Sequence, residues 1–205
     1  SFEIGIERML LDGRIRLGAT GYTQRFQDLI QYTFAPTRPG ESNYFNLGVA
    51  RARGIEAAAQ VAILPGLQLD VSHDWLGREV LASGDAGDLT FVEGSRLLRR
   101  PEHRTSGSLA WSAHHASIWL GATHVGSRED IDFSDPAAPA GKRVTLDSYT
   151  LLNAAPEMPI VRGDRGTLSG TLRIENVLDA EFQEIVGFPA RRRAIHLGMR
   201  AGIGL

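Results

Sequence analysis

The sequence predicts an all-β chain folded as a partial antiparallel transmembrane β-barrel, about nine strands in an open, curved sheet. Three observations carry this. Apolar residues recur with a period of two along most of the chain, as in strands with one apolar face and one small or polar face. Several of these runs exceed the mean strand of about 5–6 residues. Connections alternate in length: tight ones at Asp12-Gly13, Pro65-Gly66, His114-His115 and Gly163 to Gly166, long ones at Pro36 to Ser42, Gly84 to Leu98, Ser134 to Gly141 and around Pro189. Short turns at one end and long loops at the other are the layout of an outer-membrane barrel. A water-soluble sandwich has no reason to keep it.

The elements follow in order. Phe2, Ile4 and Ile6 alternate with Glu3, Gly5 and Glu7, giving a first strand to about Leu10. Asp12-Gly13 is a hairpin signal. The next strand carries Ile15, Leu17 and Ala19 against Arg14, Arg16, Gly18 and Thr20, and runs towards Tyr32. Tyr44 to Ile63 is another long strand. Arg51 and Arg53 fall on its apolar parity, so either Gly54 hosts a bulge or these arginines lie at head-group level. Leu67, Leu69 and Val71 begin a strand that passes Trp75. His103 to Ala113 is a strand, and Ile118, Leu120 and Ala122 begin another. Val144 to Asn153 reads as a strand ended by Pro156 and Pro159, residues that suit an edge or a strand end. Leu168, Leu172 and Ile174 lead into the last stretch, where Ile195, Leu197, Met199, Ala201, Ile203 and Leu205 alternate with Ala194, His196, Gly198, Arg200, Gly202 and Gly204. As a helix this stretch would carry interior glycines at about 1 kcal/mol each. Alone it favours a soluble core over a bilayer; the loop pattern reverses that and decides for the bilayer.

Composition bounds the function. The chain has 205 residues, 23 glycines, a net charge of −2 and no cysteine. No window approaches the roughly 20 apolar residues of a membrane helix, which leaves a barrel open because its strands average out as moderately polar. The balanced charge gives no footprint for nucleic acid. Disulfides and thiolate metal sites are excluded. The first residues already alternate and form no signal peptide, so the chain reads as a piece of something longer.

Five stretches together resemble a known family. They are Phe26-Gln27-Asp28-Leu29-Ile30-Gln31-Tyr32, Ala52-Arg53-Gly54-Ile55-Glu56, Leu98-Arg99-Arg100-Pro101-Glu102-His103, Asp147-Ser148-Tyr149-Thr150-Leu151-Leu152-Asn153 and Asn176-Val177-Leu178-Asp179-Ala180-Glu181-Phe182. Their order and spacing are similar to the C-terminal part of the barrel of TonB-dependent outer-membrane receptors, with the cobalamin-type branch nearest. The resemblance implies that residues 1–205 are one segment of a barrel of about 22 strands, with the plug domain, the early strands and the TonB-binding box absent. It implies uptake of a scarce nutrient such as a siderophore or cobalamin, an integral place in the bacterial outer membrane, and no catalysis. The implied partners are the TonB energy-transducing system, outer-membrane lipid and lipopolysaccharide, a small nutrient ligand and the barrel assembly machinery. Leu205 departs from the aromatic that usually ends the family. A porin-like channel is the alternative, and a soluble β-sheet binding module a third.

No Walker loop, dinucleotide-binding glycine pattern or nucleophile elbow is present, and neither cofactor, metal nor catalytic residue is expected. His114 and His115 read as a turn. Glu129, Asp130, Asp132 and Asp135 form an acidic patch without calcium-loop spacing, read as a solvated loop. Trp75, Trp111, Tyr22 and Tyr149 are read as girdle aromatics. By parity Arg16, Glu56, Asp70, Arg173 and Arg200 face the lumen, opposite Ile195, Leu197, Met199, Ala201 and Ile203, because such charges in hydrocarbon would cost about 2–4 kcal/mol each at midplane. Arg99, Arg100, Arg191, Arg192 and Arg193, with Arg96 and Arg143, fall at long loops on one rim. There they meet either lipopolysaccharide phosphates or ligand, or loop acids such as Asp85 and Asp88. Finally, with nine strands the first and last run in the same direction, so the sheet is expected not to close on itself. The chain alone should then need detergent or aggregate.

Overall fold

A computed structural model of the chain describes residues 1–32, 40, 42–82, 92–113, 116–138, 141–163 and 166–203. The described residues form thirteen strands: β1 (Phe2–Leu10), β2 (Ile15–Tyr32), β3 (Tyr44–Leu64), β4 (Leu67–Ala82), β5 (His103–Ala113), β6 (Ala116–Val125), β7 (Arg128–Asp132), β8 (Lys142–Leu146), β9 (Tyr149–Gly163), β10 (Gly166–Glu175), β11 (Gln183–Ile185), β12 (Phe188–Pro189) and β13 (Ala194–Ile203). Nine make one sheet in the order β1-β2-β3-β4-β5-β6-β9-β10-β13, each pair antiparallel. Among the described residues β1 and β13 are its edges and do not pair with each other. The remaining strands form two small hairpins, β7–β8 and β11–β12, inside the long connections.

The connections sort by length as the sequence suggests. After β1, β3, β5 and β9 the chain turns back at once; after β2, β4, β6 and β10 it makes long excursions. The first turn places Leu11, Asp12 and Gly13 at φ of 52°, 52° and 84° and is closed by the Arg14 amide donating to the Leu11 carbonyl. In the β3–β4 turn Gly66 sits at φ +80°, and a Cβ there would stand 2.2 Å from the Ser112 carbonyl oxygen of the neighbouring hairpin. Only glycine lets these two turns pack together.

Residues opposite one another in the register share a face of the sheet. One face carries Ile4 and Ile6 on β1, Leu17 on β2, Ala59 and Val61 on β3, Leu69 and Val71 on β4, Leu109 and Trp111 on β5, Ile118 and Leu120 on β6, and Leu197 and Met199 on β13. The other carries Glu7, Arg16, Gln60, Asp70, Ser108, Asn153, Thr171 and Arg200. Among the described residues nothing packs on the apolar face of β13: Leu197 is 84% and Met199 76% exposed. Burial is confined to small clusters, of which Ala50 and Val80, packed by Phe26 and Leu97, lie near the long-loop end of β2, β3 and β4. A single sheet whose large apolar side chains point outward on one side has no core of its own; its apolar face needs an apolar solvent.

Several expectations are corrected. The strand expected from Val144 to Asn153 is divided: Val144 to Leu146 belong to β8, paired with β7 in a loop hairpin, and the wall strand begins at Tyr149. Pro156 and Pro159 do not end that strand, which continues to Gly163 inside the sheet. Proline is accommodated because the β9–β10 register shifts at Leu168/Ser169, opposite Pro159, and breaks off between Thr171↔Glu157 and Ile174↔Ala154, beside Pro156. Where the ladder is interrupted, no N–H is required. Gly54 hosts no bulge. The β2–β3 register runs through Tyr22↔Gly54 unbroken, and the glycine makes room instead for the Tyr22 ring, whose atoms would stand 2.7 Å from a Cβ at this position. Tyr22 and Tyr149 lie on the polar face, opposite Trp75 and Trp111, and so are not girdle residues.

Candidate functional site

The polar face is lined at its middle by small residues. Gly18, Ala58, Ser72, Ser106 and Thr123 stand side by side across β2 to β6. Beside this row lies a hollow of about 550 Å³ bordered by Glu7, Arg16, Gln60, Asp70, Trp119 and Asn153. The Trp119 ring covers Gly121, where a Cβ would meet it at 2.2 Å. Small side chains along the strands keep the floor low, and the charged groups form its border.

The register puts Arg16, Glu56, Asp70, Arg173 and Arg200 all on this face. They do not converge on one point. Arg16 pairs with Glu7 at 2.8 Å, Asp70 accepts from the Gln68 amide at 3.0 Å, Arg173 pairs with Glu175 at 2.8 Å and Arg200 with Glu157 at 3.1 Å. Glu56 stands in the row between Thr20 and Asp74. These are local pairs in a water-accessible surface, each contributing about 0–1 kcal/mol.

The long-loop end is built differently. Asp130 on β7 has a side chain with no exposed surface, yet it is ionisable. One carboxylate oxygen accepts from Arg99 Nε at 2.8 Å and from the Ile131 amide; the other accepts from the Val186 amide at 2.8 Å. It ties together the loop before β5, the β7–β8 hairpin and the turn between β11 and β12. Near it Arg128 donates to the carbonyls of Gln183 and Asp147 and lies over the Tyr149 ring, which stacks on Phe182 at 4.0 Å and donates its hydroxyl to Glu184. The acidic patch therefore separates into parts and is not the solvated loop expected. Asp130 is a buried latch and Glu129 pairs with Arg143, whereas Asp132 and Asp135 cap turns through the amides of Ser134 and Ala137. Among the described residues no group of three or more His, Asp or Glu is placed to hold a metal ion.

A second clasp closes the segment before β13. Asn176 and Asp179 occupy left-handed backbone positions, φ 52° and 55°, which asparagine and aspartate tolerate better than most. Asn176 both donates to and accepts from the backbone of Ala180. Asp179 accepts from Arg192 at 2.8 Å and from the Arg193 amide, and Glu181 also binds Arg192. Those bonds, the Arg192 guanidinium first, hold the Asp179 carboxyl down at about 2. Arg99 and Arg192 are thus engaged by acids of neighbouring loops. Arg191 offers its carbonyl to Asn176, and Arg100 lies exposed at a charged notch described below. His114, His115, Asp85 and Asp88 lie outside the described residues.

Sequence alone did not show the buried state of Asp130 or the place of Arg78, which lines that notch. Arg78 sits on a polar-face position of β4, so parity alone gave no hint of it. The clasp was within reach: two Asx residues three apart, followed by a run of arginines, is a pattern that side-chain-to-backbone bonding explains.

The model of the family described as "TonB dependent receptor-like, beta-barrel" matches residues 1–172. A curated relative, the vitamin B12 transporter BtuB of Vibrio cholerae serotype O1, is 28% identical over 186 residues, which are 90% of this chain and 26% of the relative. Among solved structures, the ferric-catecholate import receptor Fiu from Escherichia coli K12 aligns with a TM-score of 0.70 at 20% identity, over 96% of this chain and 26% of that one. The ferripyoverdine receptor of the outer membrane of Pseudomonas aeruginosa, bound to ferripyoverdine, aligns with a TM-score of 0.72 at 19% identity and the same coverage. At these identities the structural likeness speaks for the fold. The chain spans about a quarter of the length of the relatives it matches.

Proposed function

Since the chain belongs to the TonB-dependent receptor β-barrel family, an integral outer-membrane family, we propose that residues 1–205 form the C-terminal part of the barrel wall of a receptor that imports a scarce nutrient. The nutrient is of the cobalamin or siderophore class. The observation that carries the reading is the division of the nine-stranded sheet into an unpartnered apolar face and a polar face with paired charges. A wall between lipid and a wet or protein-filled lumen needs that division.

In this reading Arg16, Glu56, Asp70, Arg173 and Arg200 face the lumen, and the short turns lie on the periplasmic side. The long loops, latched by Asp130 and clasped by Asp179, form the outer vestibule where ligand first arrives. The wall binds and encloses; the work of transport comes from TonB through the plug, parts of the receptor outside this segment. The likeness in sequence to a vitamin B12 transporter favours a cobalamin-class ligand over an iron chelate.

Uptake of labelled cyanocobalamin and of ferric siderophores by cells with and without the gene tests this, each in the presence and absence of TonB. TonB-dependent accumulation of one of these ligands, lost on deletion, is expected. Passive entry of unrelated small solutes, unaffected by TonB, would overturn it in favour of a porin-like channel.

A further inference from the structure

Pairing between β4 and β5 stops at Trp75↔His103, so among the described residues the upper part of β4 has no strand partner on this side. The loop before β5 covers that edge only in patches: the Leu76 amide donates to the Glu102 carbonyl, and Val80 exchanges bonds with Ser95 and Gly94. Between these points is a notch of about 220 Å³ at the long-loop end of the wall. Residues of both sheet faces reach it, Arg53 and Gly77 from the apolar side and Leu76 and Arg78 from the polar side.

Its lining is dominated by guanidinium groups. The acids present, Glu79, Glu102 and Glu129, are each taken: by Arg51 at 2.7 Å, by Arg96 at 3.0 Å and by Arg143. Arg128 also lines the notch but spends its donors on the Gln183 and Asp147 carbonyls. Among the described residues that leaves Arg53, Arg78 and Arg100 facing the space with no carboxylate partner, Arg78 donating to the Pro101 carbonyl. The side chain of Arg53 runs across Gly77, within van der Waals reach of where a Cβ would stand. Unpaired cations held around a small concavity, with the neighbouring acids already neutralised, are the arrangement that recognises an oxyanion. A volume below the roughly 300–1,000 Å³ of whole-ligand pockets suits a single phosphate or carboxylate group.

We propose that this notch is an oxyanion-binding site, formed by Arg53, Arg78 and Arg100, for a phosphate group presented at the outer rim. The group comes either from an outer-leaflet lipid head group or from a free phosphate-bearing solute, since residues of both sheet faces line the notch. The site stands whatever nutrient the barrel carries.

The test uses the protein extracted from its outer membrane in detergent, with inorganic phosphate as the probe in calorimetric titration and total phosphorus of co-purifying lipid as a second reading. Arg53→Gln and Arg100→Gln, both at exposed positions, are the primary variants, and Arg78→Gln is the third. Each should weaken phosphate binding by about tenfold or more, the effect of losing a charge-assisted hydrogen bond. Arg192→Gln, in the clasp, should leave it unchanged. Saturable phosphate binding with unaltered lipid phosphorus identifies a free solute as the source; lipid phosphorus that falls in the variants identifies a head group. Phosphate binding insensitive to both Arg53→Gln and Arg100→Gln would overturn the proposal. So would a protein that neither binds phosphate saturably nor loses lipid phosphorus on substitution.

Discussion

Exchanging Met199 for arginine tests the assignment of the apolar face to lipid. β13 holds ten residues at about 3.3 Å each, and a barrel tilt of about 40° leaves about 2.5 Å of height per residue. The strand then spans about 25 Å, the height of the apolar band of such barrels, and Met199, sixth from its start, lies close to midplane. Its neighbours across the ladder are Gly170 and, beyond it, Met158, so no acid on this face stands ready to pair with an introduced guanidinium. Arginine at midplane costs about 2–4 kcal/mol, a factor of about 30–900 in the folding equilibrium. The control is Arg200→Met on the opposite face. Arg200 is 72% exposed and pairs with Glu157, so its removal should cost no more than about 1 kcal/mol. Urea unfolding of the protein in lipid vesicles, read by tryptophan fluorescence, measures both. If Met199→Arg costs less than Arg200→Met, the two faces have been assigned the wrong way round.

Three further outcomes follow from the loop end and the turns. Asp130→Ala leaves the Ile131 and Val186 amides and Arg99 without their acceptor; a loss of about 2–4 kcal/mol in local stability should appear as faster hydrogen exchange at Val186 and new protease cuts in 183–190, and unchanged protection would refute the latch. Gly54→Ala sets a methyl 2.7 Å from both the Tyr22 ring and the Trp75 carbonyl; a loss of about 1–3 kcal/mol is expected, only partly recovered by adding Tyr22→Ala because the carbonyl cannot move aside. Asp179, ordinarily near 3.8 but held at about 2 by Arg192, contributes its clasp fully above the ordinary value, and the contribution is lost as pH falls through about 2; NMR titration of the carboxyl should show nothing between pH 8 and 5, and a midpoint near 3.8 would mean that the clasp is open in solution.

What could be read from the sequence was governed by range. Alternation is a property of neighbours two apart, so β1, β5 and β13 could be read directly, and the order of short and long connections gave the sheet its topology. Residues whose state depends on distant partners could not be read. Asp130 looks like a loop acid until Val186, 56 positions on, is brought beside it. Lys142–Leu146 alternates as well as any wall strand, and only its pairing with β7 reveals a loop hairpin. The prolines misled for the same reason: whether Pro156 is tolerated depends on whether β10 needs its N–H, which is a fact about the ladder rather than about the residue. For the candidate site, parity sorted the wall charges by face without showing that they pair locally and do not converge. It gave no sign that the upper edge of β4 is left partly uncovered, the condition that creates the arginine notch.

The wall charges bear on what the polar face is for. Arg16–Glu7 and Arg200–Glu157 bridge strands and Arg173–Glu175 lies within one, but for any of them to add much to stability it would have to be shielded from solvent screening. Instead the arginines are half to nearly three-quarters exposed, where an ion pair adds little. Their worth lies in solvation. They keep one face compatible with water or with the polar surface of another domain, while the floor between them, Gly18, Ala58, Ser72 and Ser106, stays low enough for a second body to approach the backbone closely. The opposite face makes the reverse choice, setting large apolar groups outward with no partner among the described residues. A sheet so divided is unsuited to standing alone in water, since its apolar face would seek another apolar surface and its edges β1 and β13 would seek strands. Both demands are met at once when the apolar face lies against lipid and the edges continue into the rest of a barrel.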